Sequence, residues 1–135
     1  MTIDRKVLRW FELLLLISLL LILGSATYQR NLVWKDELTL WADVVEKSPR
    51  KARGYNEMGM FYYERKMLDQ AIPFFMTGIS LYPDYAKAHN NLGLSLMGKG
   101  LIDQSIMEFK KAVALNPDNG MYHVKLGIAY LQKGF

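Results

Sequence analysis

Apolar side chains along the second half of the chain recur with the period of an α-helix. Between residues 102 and 113, apolar side chains occupy the first, fifth, eighth and twelfth positions, which lie on one face of a helix. Segments of this kind are followed by a proline, at Pro49, Pro83 and Pro117. Because proline lacks an amide hydrogen and restricts the residue before it, we expect each proline to end a helix. The pattern predicts an all-α chain of amphipathic helices.

The helical pattern repeats every 34 residues. Gly59, Gly93 and Gly127 keep this interval, and so do the three prolines. Two residue types that share one period indicate a repeated unit of helix, short turn, helix and proline-containing turn. Each glycine lies inside the first helix of its unit, where it costs roughly 1 kcal/mol relative to alanine. We expect close approach of two antiparallel helices to offset this cost, since a side chain there would hold the helices apart.

The second helix of the unit appears three times, over residues 33–49, 67–83 and 101–117. In this alignment Trp41, Phe75 and Phe109 are equivalent. Asp69 and Asp103 stand just ahead of the apolar positions, where an N-cap residue is needed. We therefore predict that these two aspartates cap the second helices.

The repeated unit resembles the tetratricopeptide repeat (TPR), whose 34-residue consensus fixes aromatic, small, glycine and proline positions. The resemblance divides the chain into a half unit with only a second helix, two complete repeats and one truncated repeat: residues 33–51, 52–85, 86–119 and 120–135. It implies an antiparallel helix-turn-helix TPR solenoid that winds as a right-handed superhelix. The residues at the structural consensus positions are Tyr55, Gly59, Ala71, Phe75, Pro83, His89, Gly93, Phe109, Ala112, Pro117, His123 and Gly127.

An apolar segment precedes the repeats and carries no charged side chain between Leu13 and Tyr28. Residues 7–28 would extend about 33 Å as a helix, enough to cross a hydrocarbon core of about 30 Å. Trp10 and Tyr28 lie near the two ends, where interfacial aromatic residues occur in membrane helices. We predict a single transmembrane helix over residues 7–28, in contact with the lipid bilayer, after a basic N-terminal flank over residues 1–6.

Two other interpretations of the apolar segment stay open. Residues 24–26 are similar to a small-residue signal-peptidase site after a basic region, as in a cleaved signal peptide. A buried helix of a soluble protein fits less well, because residues 19–23 leave no polar face. For the membrane helix, three basic residues lie close to its N-terminal side and two close to its other side. This difference favours a non-cytoplasmic location for the repeats, whereas a count that includes Lys47, Arg50, Lys51 and Arg53 favours the opposite side.

The TPR resemblance also implies a function. In that family the first helix of each unit lines a concave groove, and its second, fifth, sixth, ninth and twelfth positions meet a bound peptide. The resemblance therefore implies a scaffold that binds a peptide or protein partner. Carried over by register, the predicted groove residues are Arg53, Asn56, Met60, Tyr63, Lys87, Asn90, Asn91, Leu94, Lys125 and Ile128, with Glu57, Met97, Met121, Val124 and Leu131 at the remaining positions.

The family's clamp for a C-terminal carboxylate is incomplete in this chain. Asn91 and Lys125 stand at clamp positions, whereas Asn56, Met60 and Met121 differ from the clamp residues. We therefore expect the clamp to be absent. The asparagines of the groove keep two interpretations, since they either grip the backbone of an extended peptide through paired donor and acceptor bonds or are solvated helix residues.

Composition and the two histidines argue against an enzyme. The chain has no cysteine, which excludes a disulfide or a thiolate metal site. His89 and His123 occupy the position of Tyr55 in the first repeat, and no acidic residue recurs beside them at ligand spacing, so packing explains them better than metal binding or catalysis. The net charge of +4 is spread evenly, with no basic face for nucleic acid. We predict no catalytic residues, no metal site, no cofactor and no nucleic-acid partner.

The two ends of the repeat region lead to two further expectations. The last unit has no polar capping face, which indicates either a longer array or self-association through this uncapped repeat. At the other end, residues 28–37 resemble the junction in multi-pass, mannosyltransferase-like membrane proteins with C-terminal TPRs. This second resemblance implies an alternative function, in which the chain is the C-terminal TPR tail of a glycosyltransferase whose catalytic domain is not in this sequence.

Overall fold

The structure is a computed structural model that describes residue 10, residues 13–25 and residues 37–134. The described residues form α-helices joined by turns, which confirms the predicted all-α class. Beyond residue 36, the helices are α1 Glu37–Lys47, α2 Ala52–Glu64, α3 Leu68–Leu81, α4 Ala86–Gly98, α5 Ile102–Leu115 and α6 Gly120–Lys133.

The chain divides into two compact units, Met1–Thr39 and Leu40–Phe135. In the first unit residues 13–25 are helical, and their leucine and isoleucine side chains are about half exposed or more. Helix of this length extends about 20 Å, and among the described residues no helix is both long and apolar enough to cross a membrane. The structure therefore does not support the predicted transmembrane helix over residues 7–28. Its two ends and the basic flank lie outside the described residues.

The second unit is built from stacked helix pairs. Helix α2 packs on α3, and α4 packs on α5, which are the two predicted helix pairs. Helix α4 also packs on α3, and α6 packs on α5, so that each first helix contacts the second helix of the unit before it. This arrangement sets the first helices α2, α4 and α6 in order along the array.

Two glycines allow the paired helices to approach closely. A Cβ atom on Gly59 would lie 2.6 Å from the Phe75 ring, and one on Gly93 would lie 2.8 Å from the Phe109 ring. Both rings are fully buried. The side chain that glycine lacks would therefore occupy space that the ring already fills, and burial of the ring offsets the low helix propensity of glycine.

The predicted N-caps of the second helices are wrong. Helices α3 and α5 each begin one residue before Asp69 and Asp103, and neither helix has a side-chain cap bond. The aspartates instead form ion pairs with the following unit, Asp69 with Lys99 and Asp103 with Lys133. The same pair thus recurs after 34 residues and joins the start of a second helix to the end of the next first helix.

Candidate functional site

The predicted groove positions fall into two rows across α2, α4 and α6, because these helices contact one another in order. The polar row comprises charged and amide side chains near the N-terminal ends of the three helices: Arg53, Asn56, Glu57, Lys87, Asn90, Asn91 and Lys125. The apolar row comprises the ninth and twelfth positions of the three helices: Met60, Tyr63, Leu94, Met97, Ile128 and Leu131.

Three asparagines of the polar row form a hydrogen-bonded network. Asn91 Nδ2 on α4 donates to Asn56 Oδ1 on α2 at 3.0 Å, and Asn56 Nδ2 donates to Glu57 Oε1 at 3.2 Å. Asn90 Nδ2 donates to Asn91 Oδ1 at 3.1 Å. Asn56 has no exposed surface, and Asn91 is 5% exposed. These two amides therefore join α2 to α4, and as they lie they face each other rather than solvent.

Asn90 differs from its two neighbours in having an unused acceptor. Its side-chain oxygen Oδ1 is buried and has no hydrogen-bond partner, and within the described ranges it is the one buried side-chain nitrogen or oxygen atom in this state. A buried acceptor without a donor costs about 1–3 kcal/mol. The Asn90 side chain as a whole is only partly buried, so a donor from outside the chain would recover this free energy once rotation of the amide brings the oxygen to the surface.

Charges in the polar row are partly paired. Lys87 Nζ donates to Glu57 Oε1 at 2.9 Å, which links α4 to α2 a second time. Since the lysine is half exposed, we expect this pair to contribute at most about 1 kcal/mol. Arg53 is exposed at the start of α2. Burial raises the pKa of the nearby Tyr85 hydroxyl above its ordinary value, and the charge of Lys87 opposes this shift.

The apolar row becomes more exposed from α2 towards α6. Met60 and Leu94 are partly buried and pack against the core clusters beneath them. Ile128 is more exposed, and Leu131 is 72% exposed. Met121 and Val124, at two further predicted groove positions of α6, are also exposed and extend this apolar surface.

The two histidines have structural partners that the sequence did not reveal. His89 is buried in α4, where Nε2 donates to the Pro83 carbonyl oxygen at 2.8 Å and Nδ1 lies 2.6 Å from Glu108 Oε2. His123 Nε2 donates to the Pro117 carbonyl oxygen, also at 2.8 Å. In each case the histidine ties the first helix to the proline turn before it. Among the described residues, no group of three or more histidine, aspartate or glutamate side chains is arranged to hold a metal ion.

Two cavities lie between α3 and α5, apart from both rows. Their volumes are about 440 and 450 Å³. Helix α4 forms part of the lining of each cavity, including Leu92 and Leu96 in the first and His89 in the second. These cavities could not be predicted from the sequence, because helical periodicity does not show how far apart two second helices stand.

Comparison with known proteins identifies the repeat. A family model described as tetratricopeptide repeat matches residues 52–85 and 86–119, which together make up just over half of the chain. These are the boundaries of the two complete repeats that the sequence pattern predicted. No curated protein matches the chain.

Several solved structures share the fold at low sequence identity. YrrB, described as a TPR protein with an unusual peptide-binding site, is 20% identical, with a TM-score of 0.65 over 68% of this chain and 47% of YrrB. The first TPR of Spaghetti (RPAP3), bound to the HSP90 peptide SRMEEVD, is 14% identical, with a TM-score of 0.71 over 87% of this chain and 93% of that one. The Arabidopsis OM64 TPR domain is 17% identical, with a TM-score of 0.67 over 78% and 87% of the two chains.

The matches show the TPR fold, and the matched part of this chain spans less than half the length of YrrB. None of the matches supports the resemblance of residues 28–37 to mannosyltransferase-like proteins, and residues 28–36 lie outside the described residues.

Proposed function

The chain belongs to the tetratricopeptide repeat family, and on that premise we propose that it is a non-enzymatic scaffold for a peptide or protein partner. The partner segment lies in an extended conformation across α2, α4 and α6, over the polar row and the apolar row. The polar row has an amide oxygen without a partner, and the apolar row has exposed apolar side chains.

The unpartnered Oδ1 of Asn90 is the observation that carries the proposal. Asn90 stands on α4, the middle one of the three first helices, and its oxygen is an acceptor that no group of the described chain satisfies. An extended peptide has backbone N–H groups that are free to donate, whereas those in the interior of a helix are already bonded within the helix. A backbone N–H at Asn90 would remove the cost of about 1–3 kcal/mol that the free protein bears.

The apolar row would contact apolar side chains of the partner segment. In an extended segment alternate side chains point to the same side, so that apolar residues at every second position can lie along the row. Leu131 and Ile128 are exposed in the free protein and would be covered by such residues. Burial of apolar surface stabilises the complex by about 25 cal/mol per Å² before the costs of association.

The partner segment that fits these rows need not be the C-terminus of its own chain. Asn91, one of the two residues at a carboxylate-clamp position, already donates to Asn56. The groove is therefore suited to an internal apolar segment more than to a C-terminal carboxylate. The peptide-binding site described for YrrB and the HSP90 peptide bound to RPAP3 support the ligand class.

Hydrogen–deuterium exchange tests where the ligand binds. The probe is a peptide selected from a random displayed library against the full chain. We expect the bound peptide to slow backbone exchange in α2, α4 and α6, because ligand contact there lowers the rate of local opening. Slowed exchange confined to α3 and α5 would contradict the proposal, because the peptide would then occupy the cavities between the second helices.

We further propose that residues 7–28 anchor the chain to a lipid bilayer and that the repeats lie on the non-cytoplasmic side. Support comes from residues 13–25, whose leucine and isoleucine side chains are about half exposed or more. Apart from Ser18 and Ser25, this segment has no polar side chain. Exposed apolar surface of this size in a soluble chain marks an interaction site.

Alkaline extraction of membranes that contain the full chain tests the anchor. We expect the chain to stay in the membrane fraction, and we expect Leu20→Arg to release it, because a central arginine costs about 2.5–3.5 kcal/mol on insertion scales. Thr77→Arg, on α3, is the matched control and should be retained. Release of the unsubstituted chain would contradict the anchor. In sealed vesicles whose non-cytoplasmic face is outermost, protection of the repeats from added protease would contradict the proposed side.

A further inference from the structure

The turn between α2 and α3 holds a lysine in a left-handed backbone conformation. Lys66 has a φ of 62°, and among the described residues it is the one residue other than glycine whose φ is positive. The same position of the next two repeats is occupied by Gly100 and Gly134, with φ values of 78° and 96°. Because a side chain is strained at such a φ and glycine is not, the first repeat carries a cost that the other two avoid.

Backbone hydrogen bonds do not explain the lysine. The Lys66 amide donates to the Tyr63 carbonyl oxygen at 2.9 Å, and the Met67 amide donates to the Tyr62 carbonyl oxygen at 3.0 Å. Helix α4, which has glycine at the equivalent position, ends with the same two bonds at 3.0 and 2.9 Å. Glycine is the residue that this helix ending usually takes. What distinguishes Lys66 is therefore its side chain.

The Lys66 side chain lies at the α2 end of the apolar row. Its Nζ is 5.9 Å from the centre of the Tyr63 ring, and Tyr63 is the twelfth-position residue of α2 in that row. The lysine is exposed, and within the described ranges neither it nor the neighbouring Arg65 forms an ion pair. With Glu64 before them, the two basic residues leave this turn with a positive charge beside an apolar surface.

Contact with the tyrosine ring does not account for the strain. A lysine at an exposed site gains little from an aromatic ring. Lys110 shows that such a contact needs no special backbone, since it lies within helix α5 and its Nζ is 5.7 Å from the centre of the Tyr130 ring. The remaining property of Lys66 is its charge, which is complementary to an anionic group on the partner segment.

We propose that Lys66 binds an acidic side chain of the partner segment and thereby selects its sequence. The proposal rests on the peptide-binding function proposed above. The partner is then an extended apolar segment in which one apolar residue covers Tyr63 and an aspartate or glutamate stands two positions from it. Residues two positions apart in an extended segment point to the same side and are separated by about 6.8 Å. This separation is close to the 5.9 Å between Lys66 Nζ and the Tyr63 ring.

Binding of selected peptides tests the acidic preference. The probes are peptides selected from a random displayed library against the full chain, and each is compared with a version in which asparagine or glutamine replaces its acidic residues. We expect an acidic residue two positions from an apolar one, and about five-fold weaker binding by the amide versions, as for an exposed ion pair. The difference should vanish in about 1 M salt, which screens exposed charges. Selected peptides without acidic residues, or equal binding of both versions, would overturn the proposal.

Two variants of the full chain assign the preference to Lys66. Lys66→Met removes the charge, so it should weaken binding of the acidic peptides about five-fold and leave binding of the amide versions unchanged. Lys66→Gly should cause the same loss and raise Tm by about 4 °C, because it relieves the strain. A loss of binding together with a higher Tm cannot result from unfolding. Lys110→Met is the matched control, since it removes a lysine from a tyrosine ring outside the two rows, and its binding should be unchanged.

The outcomes separate this proposal from the peptide-binding function. Full acidic preference in Lys66→Met, an equal loss in Lys110→Met, or no rise in Tm for Lys66→Gly would overturn the role of Lys66. In each of these cases a charge placed within the apolar row, as in Leu131→Asp, would still weaken binding. If the groove itself is wrong, peptide binding will be insensitive to Leu131→Asp as well.

Discussion

Replacement of Phe109 by alanine is expected to lower the free energy of unfolding by about 3–5 kcal/mol. The Phe109 ring is fully buried between α4 and α5, and it contacts Gly93 and packs with Ile106 and Ala129. Its removal deletes apolar contacts of both neighbouring helices, and Gly93 has no side chain that could fill the cavity. Since a domain is usually stable by about 5–15 kcal/mol, the loss is a large part of the total.

Urea unfolding of the full chain, followed by circular dichroism, measures this effect. Met107→Ala is the matched control, because Met107 lies two residues away on α5 and is largely exposed. Its unfolding midpoint should change little, as exposed substitutions usually alter stability by less than about 0.5 kcal/mol. Equal midpoints for the two variants would contradict the role of the ring as the centre of the helix pair.

The sequence predicted the repeat and its boundaries because the signal is local and occurs more than once. The glycine and proline intervals place the unit, and the family match at residues 52–85 and 86–119 confirms the two complete repeats. The structure adds the reason for Gly59 and Gly93, since in each case the fully buried phenylalanine occupies the space of a side chain.

The sequence could not predict which groove residues face solvent. Asn56 and Asn91 occupy the register positions that the resemblance assigns to a peptide groove, yet they are buried and bonded to each other. Their contact joins residues 35 positions apart, and it depends on how closely α2 and α4 pack. Periodicity fixes the face of a helix and leaves the depth of each residue on that face undetermined.

The prediction that Asp69 and Asp103 cap the second helices was wrong for a related reason. An aspartate ahead of an apolar run is a capping signal, but Asp69 and Asp103 find a lysine in the next repeat. Such a partner is visible in the sequence only as a second 34-residue interval, between Lys99 and Lys133. This interval was the signal that could have predicted the ion pairs.

Replacement of Leu131 by aspartate is expected to weaken peptide binding about 100-fold, which corresponds to about 2.7 kcal/mol. In the free protein Leu131 is 72% exposed, so a carboxylate there remains solvated and the fold is little affected. When a peptide covers the apolar row, the carboxylate loses its water and gains no cation, because no lysine or arginine stands three or four residues away on α6. The cost therefore arises only in the complex.

The most direct measurement is the dissociation constant of the selected peptide for the full chain, for Leu131→Asp and for Met76→Asp. Met76 is 57% exposed on α3, and it has no lysine or arginine three or four residues away, so the same carboxylate is placed outside the two rows. Thermal unfolding of all three proteins controls for folding. A groove across α2, α4 and α6 predicts a loss of affinity of about 100-fold for Leu131→Asp and no change for Met76→Asp. Unchanged binding by Leu131→Asp, or a loss with Met76→Asp alone, would contradict it.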